Sequence, residues 1–129
     1  MNKLFPILLI VLSSKLYANS PTDFLYKNVL NVECKEGSPL QDDLMYCLSR
    51  YYLESDAELN KTYNNKINSL SHTKIKKLRE SQRSWLKNKN IDCSDAYEAE
   101  KDGREAPINY LFCHAEANDK RVLFLEHYK

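Results

Sequence analysis

The chain contains a long stretch that lacks helix-breaking residues. No proline lies between Pro39 and Pro107, and the only glycines are Gly37 and Gly103. Because proline and glycine are the residues that most often end helices and form turns, this stretch favours long helices. Its apolar residues recur at steps of three, four and seven, as on one face of a helix. The sequence therefore predicts an all-α fold, a small antiparallel three-helix bundle.

Local signals predict where the first two helices begin and end. Ser38-Pro39-Leu40-Gln41 fits a capping box with proline at the first helical position, so the first helix is predicted to begin at Ser38 and to end near Leu70. Ser71 is a suitable N-cap for the second helix, which we expect to end by Gly103. Asp92-Cys93-Ser94 is a candidate position for a kink or break within it.

The third helix is marked by Pro107 near its start. Short loops between long helices make sequence neighbours antiparallel. A turn near Ser71 would then place Asp56 level with Lys87, and Asn60 level with Arg83.

The first eighteen residues have the composition of an export signal. Lys3 precedes an apolar run, residues 4–12, that is too short to span a bilayer as a helix. Leu16-Tyr17-Ala18 offers a cleavage site, so residues 1–18 are predicted to be a cleaved signal peptide. No cysteine lies near the cut to carry a lipid, and no further run is long enough to span a membrane. We expect a periplasmic or secreted protein with a lead-in over residues 19–37 and one helical domain over residues 38–129.

Four cysteines remain after the predicted cut: Cys34, Cys47, Cys93 and Cys113. An even number of cysteines in an exported chain argues for two disulfides. Antiparallel packing gathers all four at one end of the bundle, and geometry alone leaves several pairings open. The local pairings Cys34–Cys47 and Cys93–Cys113 need the fewest coincidences.

The same residues argue against several kinds of chemistry. His72, His114 and His127 lack the spacing of metal ligands, and there is no Cys-x-x-Cys motif, so we expect no metal and no other cofactor. Paired cysteines leave no thiol nucleophile, and no pair of carboxylates stands out as catalytic. No nucleic-acid motif accompanies the basic residues. We therefore expect a binding protein and not an enzyme, with its oligomeric state left open.

Charge is separated along the chain although the formal net charge is only +1. Residues 61–91 hold nine bases and one acid, whereas residues 40–60 and 92–106 each have a net charge of −4. The folded bundle would then have a cationic tip between the first two helices and an anionic, cysteine-bearing end. One interpretation is that these are solvated faces that keep the protein soluble. The other is that each end meets a partner of opposite sign. The acids at the anionic end are Asp42, Asp43, Asp92, Asp95, Glu98, Glu100, Asp102 and Glu105.

Two blocks of sequence resemble the LprI-like lysozyme-inhibitor family. Cys47, Tyr51, Asp56-Ala57-Glu58-Leu59-Asn60 and Tyr63 are similar to its first helix, and the residues from Leu78 to Leu86, with Gln82-Arg83-Ser84-Trp85 at their centre, are similar to its second. Cys93, Cys113 and residues 121–125 fit the remaining pattern, so the resemblance covers about residues 34–125. The stretch Lys89-Asn90-Ile91-Asp92 stands where the family usually has an Arg-Asp pair.

The resemblance implies a small exported helical domain and, for some members, inhibition of lysozyme. We interpret Asp56, Asn60, Gln82, Arg83 and Trp85 as structural, with Trp85 in the core and Arg83 bridging to Asp56 or Asn60. The alternative is that Gln82 and Arg83 form a recognition pair for a partner.

Our first hypothesis is an exported inhibitor whose protein partner is a lysozyme-type glycosidase and which occludes the sugar-binding cleft. Asp102 and Glu105, in the acidic loop of residues 101–107, are the predicted contacts. The alternative is a non-enzymatic envelope module whose cationic tip, within residues 61–91, binds a protein or an anionic polymer.

Overall fold

The computed structural model describes residues 20–129, so the predicted signal peptide lies outside the described residues. Two short 3-10 helices, Pro21–Phe24 and Val29–Asn31, precede three long helices. These are α1 (Gln41–Ser69), α2 (His72–Glu98) and α3 (Ala106–His127). No strand occurs in the described part of the chain. The predicted all-α class with three helices is confirmed.

The helix boundaries agree with the sequence signals except at the start of α1. α1 begins at Gln41 and not after Ser38, because the Ser38 hydroxyl donates to Asp43 at 2.6 Å and accepts the Leu40 amide at 3.3 Å. Ser38 therefore stabilises a turn that precedes the helix. Ser71 is the N-cap of α2 as predicted, and α2 continues through Cys93 without the break that we considered there.

The central helix is α3. It makes extensive contacts with both α1 and α2, whereas the backbones of α1 and α2 approach each other at few points. The buried residues of α3 cover about half of its circumference. Among them, Ala106, Leu111 and Ala115 have at most 1% of their surface exposed. The prediction that α1 packs directly against α2 is therefore wrong, because α3 lies between them and makes most of the contacts.

Two hydrophobic clusters fill the bundle. One combines Met45, Leu48 and Tyr52 of α1 with Leu111 and Ala115 of α3. The other, nearer the turn between α1 and α2, combines one leucine from each helix: Leu59, Leu78 and Leu125. Each fully buried side chain of this kind contributes about 1.5–3 kcal/mol to the stability of the fold. Two separate clusters of core residues therefore hold the three helices together.

Both predicted disulfides are present: Cys34–Cys47 and Cys93–Cys113. The first pins the lead-in segment to α1. Polar contacts add to it, since Arg50 of α1 donates to the carbonyls of Val29 and Val32. None of the helices within residues 20–129 combines the length and the apolar composition that a membrane span requires.

Candidate protein-contact site

The loop between α2 and α3, residues 99–105, carries the two acids that the sequence analysis singled out. The Gly103 amide donates to a carbonyl within the loop at 2.7 Å. The disulfide Cys93–Cys113 joins the two helices that flank the loop. Asp102 and Glu105 are both exposed, and Glu105 is the N-cap of α3. The structure therefore presents both carboxylates to solvent on a restrained loop.

Two hydrogen bonds join this loop to the start of α1. Arg104 Nε donates to Gln41 Oε1 at 2.8 Å, and Gln41 Nε2 donates to the Arg104 carbonyl at 3.1 Å. The other base of the region, Lys101, pairs with Glu98 at 3.5 Å. The loop and the first turn of α1 thus form one continuous surface, which we call the acidic end.

Apolar side chains are exposed at the centre of the acidic end. Leu40 is 63% exposed and Leu44 is 40% exposed. Together with Ile108 and Glu105 they line a shallow cavity of about 380 Å³. Adjacent exposed apolar residues with a polar rim are typical of protein interaction sites. The acidic end therefore has both the charge and the apolar surface that a protein contact requires.

Arg83, by contrast, does not form the predicted bridge to α1. Its side chain is exposed, and Asn60 donates to Asp56 on its own helix at 3.2 Å. The reason lies in the packing order, because α3 takes up the space that a direct α1–α2 pair would have used.

The arginine that contacts the motif Gln82-Arg83-Ser84-Trp85 of α2 is Arg121, which belongs to α3. Arg121 Nε donates to Gln82 Oε1 at 2.9 Å, and Nη2 donates to Ser81 Oγ at 2.8 Å. Its guanidinium lies 5.4 Å from the centre of the Trp85 ring. Trp85 is half-buried and packs against the leucine cluster near the tip. The motif therefore joins α2 to α3, and its partner residue was missed.

A second polar chain connects all three helices. Lys89, which is only 9% exposed, donates to Asn118 Oδ1 at 3.1 Å, and Asn118 Nδ2 donates to Ser55 Oγ at 3.2 Å. Burial lowers the pKa of the Lys89 ammonium, and the charge of Asp56 partly offsets this. Because each buried polar group has a partner, the network adds specificity to the helix packing.

His114 is a buried polar group of a different kind. It is 1% exposed, and neither ring nitrogen has a hydrogen-bond partner among the described residues. Its ring packs edge-on against Tyr110 at 4.6 Å. Burial, and secondly the charge of Lys89, lower the pKa of His114 to about 4. His114 is therefore neutral at pH 7, and it lines a cleft of about 400 Å³ together with Lys89 and Tyr52.

Sequence signals for these buried polar residues exist but are weak. Trp85, Lys89 and Cys93 follow one another at steps of four, which places the lysine on the inward face of α2. Arg121 lies four residues before Leu125 on the inward face of α3. Lysine and arginine are usually solvated, so this pattern alone does not identify them as buried.

The described residues hold no free cysteine, since all four are disulfide-bonded. Nor do residues 20–129 contain a group of three histidine, cysteine or acidic side chains that could hold a metal ion. What the acidic end presents to solvent is carboxylates and leucine side chains.

Comparison with known protein families identifies the chain. The family model of the lysozyme inhibitor LprI matches residues 34–125, which include both disulfides and the motif around Trp85. Comparisons with curated proteins and with solved structures give no match. Since the family match covers well over half of the 129 residues, the chain belongs to the LprI lysozyme inhibitor family.

Proposed function

We propose that this protein inhibits a lysozyme-type glycosidase by binding it through the acidic end and occluding its sugar-binding cleft. Family membership supports the class of partner. The observation that supports the proposal most is the pair of exposed leucines, Leu40 and Leu44, which lie beside Glu105 on the acidic end. Apolar contacts would supply affinity, and the carboxylates would steer a cationic enzyme towards them.

The rigidity of the acidic end favours tight binding. A disulfide closes the loop, and the hydrogen bonds between Gln41 and Arg104 fix it against α1. A contact surface that is already ordered loses less conformational entropy on association. Binding without turnover is sufficient for this function, so the mechanism requires no catalytic residue.

The proposed site of action is the periplasm or the exterior of the cell. Inhibitors of this family meet lysozyme outside the cytoplasm, and two disulfides are stable in an oxidising compartment. Export would depend on the predicted signal peptide, residues 1–18. Expression of the full chain followed by N-terminal sequencing of the exported product would test the predicted cut.

The test of function is a cell-wall lysis assay with several lysozymes. The oxidised protein is titrated into each enzyme and compared with a reduced and alkylated sample. We expect stoichiometric inhibition that is lost on reduction. If the folded, oxidised protein inhibits none of the enzymes, the proposed function is wrong.

The acidic end is tested by reversing Asp102 and Glu105 to lysine. Both side chains are exposed, and we expect inhibition at least about ten-fold weaker. Because Glu105 is the N-cap of α3, circular dichroism and urea unfolding of this variant are measured alongside to check that the fold is retained. The matched control reverses Glu54 and Glu126, which are also exposed and change the net charge equally. Equal inhibition by both variants would show that another surface contacts the enzyme, even if the protein remains an inhibitor.

A further inference from the structure

The exposed cations of the bundle differ in whether they have partners. Lys61 pairs with Glu58 at 3.6 Å on α1, and Lys120 pairs with Glu116 at 3.3 Å on α3. Lys101 pairs with Glu98 at 3.5 Å at the acidic end. The exposed cations of α2 have no ion pair with an acid within residues 20–129, and they are Lys74, Lys76, Lys77, Arg79, Arg83 and Lys87. Four of them lie along one side of the helix, namely Lys76, Arg79, Arg83 and Lys87, and we call these four the basic row.

The basic row lies along one side of α2. Its members follow at steps of three, four and four and are all exposed. At about 1.5 Å rise per residue the row is about 16 Å long, and successive side chains are about 5–6 Å apart. The opposite face of the same helix carries Leu78 and Lys89, which are buried in the bundle. The row therefore faces solvent over its whole length.

The side chains of the basic row have no structural partner within residues 20–129, unlike two nearby cations. Lys66 donates to the carbonyls of Glu126 and Tyr128, and Lys89 donates to Asn118. Like charges one turn apart repel by a few tenths of a kcal/mol per pair, and Glu80, one turn from both Lys76 and Arg83, offsets this repulsion only in part. A polyanion bound along the row would relieve this repulsion.

We propose that the basic row binds a linear polyanion of the phosphodiester or polyphosphate type. A flexible chain can follow a single row of cations along a helix. Glu80, the one acid within residues 61–91, lies one turn from both Lys76 and Arg83, so any bound anion has to accommodate its carboxylate. A narrow chain can pass to one side of Glu80, whereas a flat lipid surface would cover it. Binding would release the counterions condensed on the polymer, which makes it strongly dependent on salt. This proposal does not rest on lysozyme inhibition.

The test measures binding of long-chain inorganic polyphosphate by calorimetry at several salt concentrations. In one variant, Arg79, Arg83 and Lys87 are replaced by glutamine. Loss of three phosphate contacts should weaken binding by about ten-fold or more and reduce the slope of log affinity against log salt by about 2. The control replaces Lys61, Lys101 and Lys120 by glutamine, which removes the same charge elsewhere.

We expect the control variant to bind within about two-fold of the native protein, because its lysines lie outside the row. Equal weakening in both variants would show that only net charge matters and would overturn the proposal. Binding to phosphatidylglycerol vesicles without binding to polyphosphate would overturn it as well. Circular dichroism of each variant checks that it is folded, which we expect because the replaced side chains are exposed.

Discussion

Lowering the pH should destabilise the protein through His114. In the folded state the pKa of His114 is lowered to about 4, while in the unfolded chain it returns to its ordinary value of 6.5. Between these values the unfolded state binds a proton that the folded state does not. The contribution of a neutral His114 is therefore complete above pH 6.5 and is lost as the pH falls towards 4. At about 1.4 kcal/mol per pH unit, the loss amounts to about 3 kcal/mol.

The environment of His114 explains why protonation is unfavourable. The ammonium of Lys89, on α2, opposes a second positive charge on the imidazole of His114. Tyr52 and Tyr110 pack against the ring, and Asp56 lines the same cleft. The imidazole is 1% exposed, so water cannot solvate the charged form. Replacement by phenylalanine retains a ring of similar shape and removes the titration.

The assay is urea unfolding followed by circular dichroism at a series of pH values between 7 and 4. We expect the free energy of unfolding to fall by about 3 kcal/mol more in the native protein than in His114→Phe. In case phenylalanine disturbs the packing, a second variant, His114→Gln, is measured as well. It should show the same weaker dependence of the free energy of unfolding on pH. His72→Gln, at an exposed position, serves as the control. If the native protein and both His114 variants have the same pH dependence, the reasoning is refuted.

Two further predictions concern the residues that fix the bundle. Replacing Cys93 and Cys113 by serine should lower the free energy of unfolding by about 3 kcal/mol, as expected for closure of a loop with a sequence separation of 20 residues, and urea unfolding would measure this. An unchanged midpoint would contradict it. Arg121→Met should cost about 2 kcal/mol because Gln82 loses its partner, whereas Arg83→Met should change stability by at most about 0.5 kcal/mol. The opposite order in the same assay would restore Arg83 as the structural arginine.

The sequence predicted the number of helices and the disulfide pairs but not which helix lies at the centre. The N-cap at Ser71 is a local signal and sets the start of α2 as predicted, whereas Ser38-Pro39 marks a turn that precedes α1. Packing order depends instead on how wide an apolar arc each helix presents. The buried residues of α3, among them Ala106, Leu111 and Ala115, cover about half of its circumference, whereas α2 buries only three residues within a narrow arc. Reading each helix as a single stripe hides that difference.

The polar interior was harder to predict for a physical reason. Lysine and arginine usually lie at the surface. Lys89 and Arg121 can be buried because hydrogen bonds to Asn118 and Gln82 offset the cost of removing their charges from water. Lys89 donates to Asn118, so this chain has a buried lysine one turn after Trp85. The partner lies 29 residues away in the sequence, and only the fold brings the two side chains together.

The two proposed contacts have opposite charge and lie on different parts of one small bundle. Lys87, the member of the basic row nearest the acidic end, and Glu98 lie on the same helix, about 16 Å apart at 1.5 Å rise per residue. This exceeds the Debye length of about 8 Å at physiological ionic strength, so the basic row would not repel a cationic enzyme bound at the acidic end. At low ionic strength the two sites would interact. A chain with a formal net charge of only +1 can therefore carry two strongly charged surfaces that act independently under physiological conditions.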